Sequence, residues 1–295
     1  MRRAWWMTFL VIAACASSPA PPATPPPELT RAPASLAEIA RDMIDGRTGA
    51  LFEVHRFRSF PSSGHAIGRL GRWAETLDAL DLDPSSDVAR ALVVAPYALS
   101  TARVVVLEMD ASDEAVAAAF ARGHGDPLPD APFPRTLITL DDGEEVAVAL
   151  VRPRTLVMAP TYVAWRFPEL RSATKLPPPD PRAAARFFAF EPASSLGATP
   201  SWPESVVAAH AEIQLLPDGA AEIRFFALST SDDQAARDAK FLTKEAHDLL
   251  TLDLALFQME LLTPPEFASR GRVVEMKTEL LPGDVDWILR FSGGS

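Results

Sequence analysis

The chain has 295 residues, 48% of them hydrophobic, and its 39 Asp and Glu against 28 Lys and Arg give a formal net charge of −11. An acidic surface repels phosphate backbones and anionic headgroups, which argues against a nucleic-acid partner and against a body lying flat on a membrane. With one cysteine there is no internal disulfide, so stability has to come from a hydrophobic core.

Residues 1–14 read as a signal peptide. Arg2 and Arg3 form a positive start, Ala4 to Val11 is an apolar run too short to span a bilayer as a mature helix, and Ile12-Ala13-Ala14-Cys15 supplies small residues at a processing site. An aliphatic residue, two small residues and a cysteine resemble the lipobox of bacterial lipoproteins. That resemblance implies cleavage before Cys15, a diacylglyceryl thioether on its sulfur and usually an acylated new amino terminus. Two or three acyl chains, each methylene contributing roughly 0.8 kcal/mol, hold a protein on a membrane where one chain does not. Loss of Arg2 and Arg3 takes the formal charge from −11 to −13. In such lipoproteins an Asp after the cysteine resembles an inner-membrane retention signal, so Ala16 points toward the outer membrane; the residues do not give the side on which the body lies, and the expected localisation is the outer membrane facing the periplasm.

Residues 15–35 are the lipidated cysteine and a tether. Ser17 to Ser35 (SSPAPPATPPPELTRAPAS) has no apolar periodicity, and is expected to be disordered and extended. At ~3.1 Å per residue for polyproline II it could hold a folded body up to ~50 Å from the bilayer.

The first half of the body spans residues 36–175. Ser35 and Glu38 form a capping box before Leu36, Ile39, Ala40 and Met43, with Gly46 closing the helix. Ala50 to Phe57 alternates as a strand, and a helix after Pro61 carries the stripe Ile67, Leu70, Trp73 or Ala74, Leu77 and Leu80. Ala89 to Pro96 and Ala102 to Met109 are strands, and Ser112 caps an alanine-rich helix. Arg135 to Leu140 and Val146 to Val151 form a hairpin around Asp142-Gly143, with Thr155 to Ala159 a further strand. The joint at residues 176–181 (LPPPDP) breaks any regular element.

The second half, residues 182–295, repeats the pattern. Ala185 to Phe190 is a strand, Val206 to Leu215 and Ala221 to Leu228 a hairpin around Pro217-Asp218-Gly219, and Ser231 opens a helix with Gln234 at the capping-box position. That helix is expected to run to Leu262. Its first part is amphipathic, with Arg237, Asp238, Lys240, Lys244 and Glu245 on the polar side, and Leu249 to Leu262 is apolar nearly all round. Arg272 to Leu280 and Val285 to Phe291 form a last hairpin around Pro282-Gly283-Asp284. The expected fold class is α+β, mainly antiparallel sheets with helices on one face, in two similar strand–hairpin–helix–hairpin halves.

The sequence holds no nucleophile elbow, zincin helix, phosphate loop, dinucleotide fingerprint or cysteine pair. Gly64, Gly68 and Gly71 read as thinning one helix face for packing. Asp81, Asp83 and Asp87 fail as a calcium loop, because Ser86 stands where a glycine is needed and Leu92 where a bidentate glutamate is needed; they read as a helix-to-strand turn. Glu53 with His55, and His210 with Glu212, lie two apart on strands and could converge as zinc-type ligands under a pseudo-twofold, but polar residues at alternate positions also describe a solvated sheet face. His65, His124 and His247 have no partner at interpretable spacing. No catalytic, cofactor-binding or metal residue is therefore assigned, and Cys15 is the one site residue, for lipidation. The expected protein is a non-enzymatic envelope lipoprotein with a binding or structural body, its partners the membrane through Cys15 and an unidentified envelope protein or hydrophobic ligand. The competing readings are a carrier or chaperone for lipid or hydrophobic peptide, with a cavity beside Leu249 to Leu262, and a hydrolase whose active site the sequence does not reveal.

Overall fold

The computed structural model describes residues 45–60, 72–98, 100–122, 126–127, 134–166, 176, 180–197, 201–254, 257–260 and 265–291. The chain divides into two compact units, one holding Ser35–Ser59 and Ser63–Pro181 and the other Arg182–Ser295 together with Phe60–Ser62. Each is built on an open antiparallel sheet, so the molecule is sheet-rich rather than an even mixture of helix and strand.

In the amino-terminal unit β1 (Thr48–Phe52) leads through short helices α1 (Val54–Phe57), α2 (Arg72–Asp78) and α3 (Pro84–Asp87) to β2 (Val88–Ala95) and β3 (Val104–Met109). Helix α4 (Asp113–Arg122) follows, then β4 (Asp126–Pro127), β5 (Arg135–Thr139), β6 (Glu145–Arg152) and β7 (Thr155–Pro160). The strand order is β1-β2-β3-β7-β6-β5-β4. Leu77 of α2, Leu80 just after it, and Val116 and Ala119 of α4 pack on the face carrying Val105, Leu107, Leu156 and Met158. Burial of each such leucine stabilises the fold by roughly 1.5–3 kcal/mol. Alternate strand residues Leu92, Val94, Val104, Val106 and Val157 are also fully buried, so neither face of this sheet is the polar, solvated one that alternation alone implies. Gly143, at φ 82°, supplies the left-handed turn residue between β5 and β6.

The carboxy-terminal unit begins with β8 (Ala185–Phe190), helix α5 (Pro192–Ser195), β9 (Val206–Leu215) and β10 (Ala221–Ser229), the last two joined through Gly219 at φ 91°. Helix α6 (Asp232–Leu250) is followed by a separate two-stranded sheet of β11 (Thr251–Leu254) and β12 (Phe257–Glu260), then β13 (Ala268–Arg270), β14 (Val273–Leu280) and α7 (Pro282–Phe291). The main sheet runs β8-β9-β10-β14-β13. Ala235, Ala239, Leu242 and Ala246 of α6 are buried.

Three expected elements are corrected. The strand read over Ala50 to Phe57 ends at Phe52: the Arg56 amide donates to the Glu53 carbonyl at 2.9 Å and closes a helical turn instead of extending the ladder. The helix expected to reach Leu262 stops at Leu250, where the sequence changes to a period of two. Thr251 faces Glu260, Leu252 faces Met259, Asp253 faces Gln258 and Leu254 faces Phe257, which pairs polar with polar and apolar with apolar. Finally, Val285–Phe291 is helical, not a strand. Pro282 occupies the first turn, where its missing N–H costs nothing, and Asp284 Oδ2 accepts from the Leu281 amide at 3.0 Å. The hairpin partner of β14 is β13. Among the described residues no helix is long and apolar enough to cross a membrane. The capping box at Ser35 and Glu38, the glycines Gly64, Gly68 and Gly71, and Cys15 lie outside the described residues.

Candidate functional site

A small aromatic cleft opens in the carboxy-terminal unit between the sheet and α6. Phe187, Ala211 and Phe225 stand in one register row across β8, β9 and β10, and the small Ala211 between two phenylalanines leaves a hollow. Leu242 and Glu245 border it from α6, with Trp202 and Phe267 completing the wall. Phe225 meets Trp202 at 6.0 Å between centroids and Phe267 edge-on at 5.5 Å. Phe267 is held there because its amide donates to Thr243 Oγ1 of α6 at 3.0 Å. The free space is about 30 Å³, room for about two waters. Two polar features mark the cleft. Glu245 Oε2 accepts from the Ser201 amide at 3.2 Å. The indole Nε1 of Trp202 is shut off from solvent, and among the described residues nothing accepts its hydrogen bond.

Asp238 and the Arg90–Glu53 pair are buried charges outside the cleft, each within one unit. Asp238, expected on the polar side of α6, is 1% exposed. Ser205 Oγ donates to its Oδ1 at 2.7 Å, Ser229 Oγ to Oδ2 at 2.6 Å and Gln234 Nε2 to Oδ1 at 2.8 Å. Gln234 therefore makes only half of the expected capping box: its amide donates to Ser231 Oγ at 3.2 Å, while its side chain turns to Asp238 instead of back to the cap. In the amino-terminal unit Arg90 Nε lies 3.2 Å from Glu53 Oε2 and its Nη1 3.0 Å from Glu108 Oε2, with the Arg90 and Glu53 side chains 6% and 1% exposed.

The histidine pairs do not behave alike. His55 sits on α1 rather than on a strand, is 44% exposed, and places Nδ1 4.0 Å from Glu53 Oε2. His210 does lie on β9 with Glu212, at 3.7 Å, but it is buried and stacks on Phe226 at 6.4 Å, so its sheet face is not a solvated one. The pairs belong to different units. Among the described residues no group of three or more His, Cys, Asp or Glu is placed to hold a metal ion. His65 and His124 lie outside the described residues, and His247 is exposed on α6. The Asp81–Asp87 segment is a turn and the short helix α3: Asp83 caps it by accepting from the Ser85 amide at 2.7 Å, and Asp87 Oδ2 accepts from the Asp83 amide at 2.8 Å. The Ser85 hydroxyl, which also donates to it, does most to hold the Asp83 carboxyl below its usual value.

On β10, partial burial pushes the Glu222 carboxyl toward its neutral form, but Lys277 Nζ at 2.8 Å and Arg224 Nε at 2.6 Å outweigh this and leave its pKa lowered. A depressed carboxyl contributes stability above the unfolded value of about 4.3, lost as pH falls through the lower folded value. Glu222→Gln is thus expected to flatten the acid limb of stability below about pH 4.3, with little change near neutrality beyond the lost pair, in urea midpoints measured as a function of pH. An unchanged acid limb would count against the Glu222 pairing.

Comparison with known proteins finds no matching family, no similar curated protein and no similar solved structure.

Proposed function

We propose that this chain is a lipid-anchored envelope protein, attached through Cys15, whose body is a non-catalytic binding or structural module. The anchor reading is carried by the agreement of a positive start, a short apolar run, Ile12-Ala13-Ala14-Cys15 and a proline-rich tract in one amino-terminal stretch. The non-catalytic reading is supported by how the buried charges are engaged: Asp238 is enclosed by Ser205, Ser229 and Gln234, and Glu53 faces Arg90. Ligand pockets for drug-sized molecules run to roughly 300–1,000 Å³, whereas the aromatic cleft offers about 30 Å³. That difference favours a small docked group over a carried acyl chain. Cys15→Ser is expected to leave the chain unprocessed or soluble, because the thioether has no other attachment point. Membrane fractionation with mass spectrometry of the amino-terminal peptide decides it; an unmodified Cys15 in the mature protein sinks the anchor.

We also read the body as an ancient duplication. In each unit three strands form a meander, a short helix follows the first, a longer helix follows the third, and the last strand of the sheet returns to pair with the third. Both second strands carry a bulge one residue after they begin, at Ala89 and at Val207. The Met109 amide donates to the Arg154 carbonyl and the Asp110 amide to Asp87; correspondingly Ser229 donates to Arg272 and Thr230 to Ser205. Both longer helices are capped by a serine, Ser112 and Ser231, that accepts from the amide three residues on at 3.2 Å. Capping chemistry recurs in unrelated helices, but a shared bulge position is not required by sheet geometry and supports common descent.

A further inference from the structure

Helix α6 carries a local charge opposite in sign to the chain's net −11. One side of it, with Ala235, Ala239 and Leu242, is buried. On the other side Arg237, Lys240, Phe241 and Lys244 share about 100° of arc and about 10 Å of helix length. These four are solvent-exposed, Phe241 at 37%. No carboxylate among the described residues pairs with Arg237, Lys240 or Lys244. Asp233 and Asp248 stand near the two helix ends, and Glu245 between them is half-buried, its Oε2 turned to the Ser201 amide. Lys240 and Lys244, four residues apart, repel each other, a cost that no ion pair among the described residues offsets. Phe241 separates a lipid surface from a purely acidic partner. Cations with an exposed aromatic on one helix face suit an anionic lipid interface, where the cations meet phosphates and the ring enters the boundary between headgroups and acyl chains.

We propose that the exposed face of α6 rests on the anionic headgroups of the bilayer that holds the chain, with Arg237, Lys240 and Lys244 at the phosphates and Phe241 at the headgroup–acyl boundary. The inference rests on the anchoring proposed above, which supplies proximity. The chain from Cys15 to Asp45 extends to at most ~100 Å, so the contact is intramolecular and needs little affinity of its own. Each cation near an anionic leaflet strengthens binding roughly fivefold. The net charge selects this contact rather than preventing it: at physiological salt charges act over only ~8 Å, so an anionic surface repels the acidic body as a whole and attracts it where the stripe leads. The sheet face of this unit that carries Glu222 and Lys277, opposite the one under α6, then points away from the bilayer.

The test uses the whole chain from Cys15, its single thiol coupled to maleimide-bearing lipid in vesicles, so that it holds whether or not cells acylate Cys15. Lysine acylation read by mass spectrometry is expected to fall about threefold at Lys240 and Lys244 when ~30% phosphatidylglycerol is added to phosphatidylcholine vesicles. Labelling should stay unchanged at Lys277, 60% exposed on the far sheet face. Salt at about 0.5 M should reverse the protection. At low salt the uncoupled chain should partition onto the anionic vesicles about a hundredfold more weakly with Arg237→Gln, Lys240→Gln and Lys244→Gln together, and about fivefold more weakly with Lys240→Gln alone. Equal labelling on neutral and anionic vesicles overturns the proposal, as does partition that the triple variant retains. So does protection of the same lysines by polyglutamate at equal charge concentration, which would assign the stripe to an acidic protein. Missing protection leaves the anchor standing, because the coupling is chemical, and an unacylated Cys15 in cells leaves the protection standing.

Discussion

Asp238→Ala is expected to cost about 3–4 kcal/mol of folding stability, a large effect for one residue of a helix. The carboxylate gathers the side chains of Ser205, just before β9, Ser229, at the end of β10, and Gln234, one turn earlier on α6. Each hydrogen bond to a charged acceptor contributes about 1.5–3 kcal/mol, and the Ser229 hydroxyl, fully buried, has no water to replace a lost acceptor. Asp238→Asn should cost less, since hydroxyls can rotate and the Gln234 amide can flip to meet a new donor. Ser229→Ala should cost about 1–2 kcal/mol alone, and less when Asp238 is already Ala, because the two are coupled. Urea denaturation of the single and double variants measures this. A loss under about 1 kcal/mol for Asp238→Ala, with unchanged slope, would show that the carboxylate is solvated in the folded state.

This aspartate also shows what the sequence conceals. A charged residue on a helix reads as surface, yet Asp238 falls within the stripe Ala235, Ala239, Leu242 and Ala246, and that spacing was the available signal. Under the proposed duplication its counterpart in α4, also seven residues after the capping serine, is the buried Ala119. Hairpins marked by Asp142-Gly143 and Asp218-Gly219 were legible because the turn requires glycine's positive φ, and the strands beside them had unbroken alternation. Residues 251–260 conceal their strands because high leucine content resembles a buried helix, although Thr-Leu-Asp-Leu and Phe-Gln-Met-Glu alternate by residue. The cleft left no local signature at all: Phe187, Trp202, Phe225, Leu242 and Phe267 come together only through strand register and the packing of α6. The Arg90 pairing was equally non-local, joining the residue after β1 to one opposite it on β2 and another on β3.

That pairing leads to the second large effect. Arg90→Met is expected to cost about 3–5 kcal/mol, because Glu53 is 1% exposed and would lose the guanidinium that faces it in the protein interior. The cost should come mostly from Glu53 and not from Glu108, whose side chain is 34% exposed and can turn to water. Pairing Arg90→Met with Glu53→Gln should therefore recover a large part of the loss, whereas pairing it with Glu108→Gln should recover little. Under the duplication proposed above, the counterpart of Arg90 is Ala208, which follows the bulge on β9 and carries no charge. Thermal or urea unfolding of the two double variants separates the contributions. Equal recovery in both would mean that Arg90 serves the rim carboxylate as much as the buried one, and that the Glu53 contact at 3.2 Å is not the dominant partner.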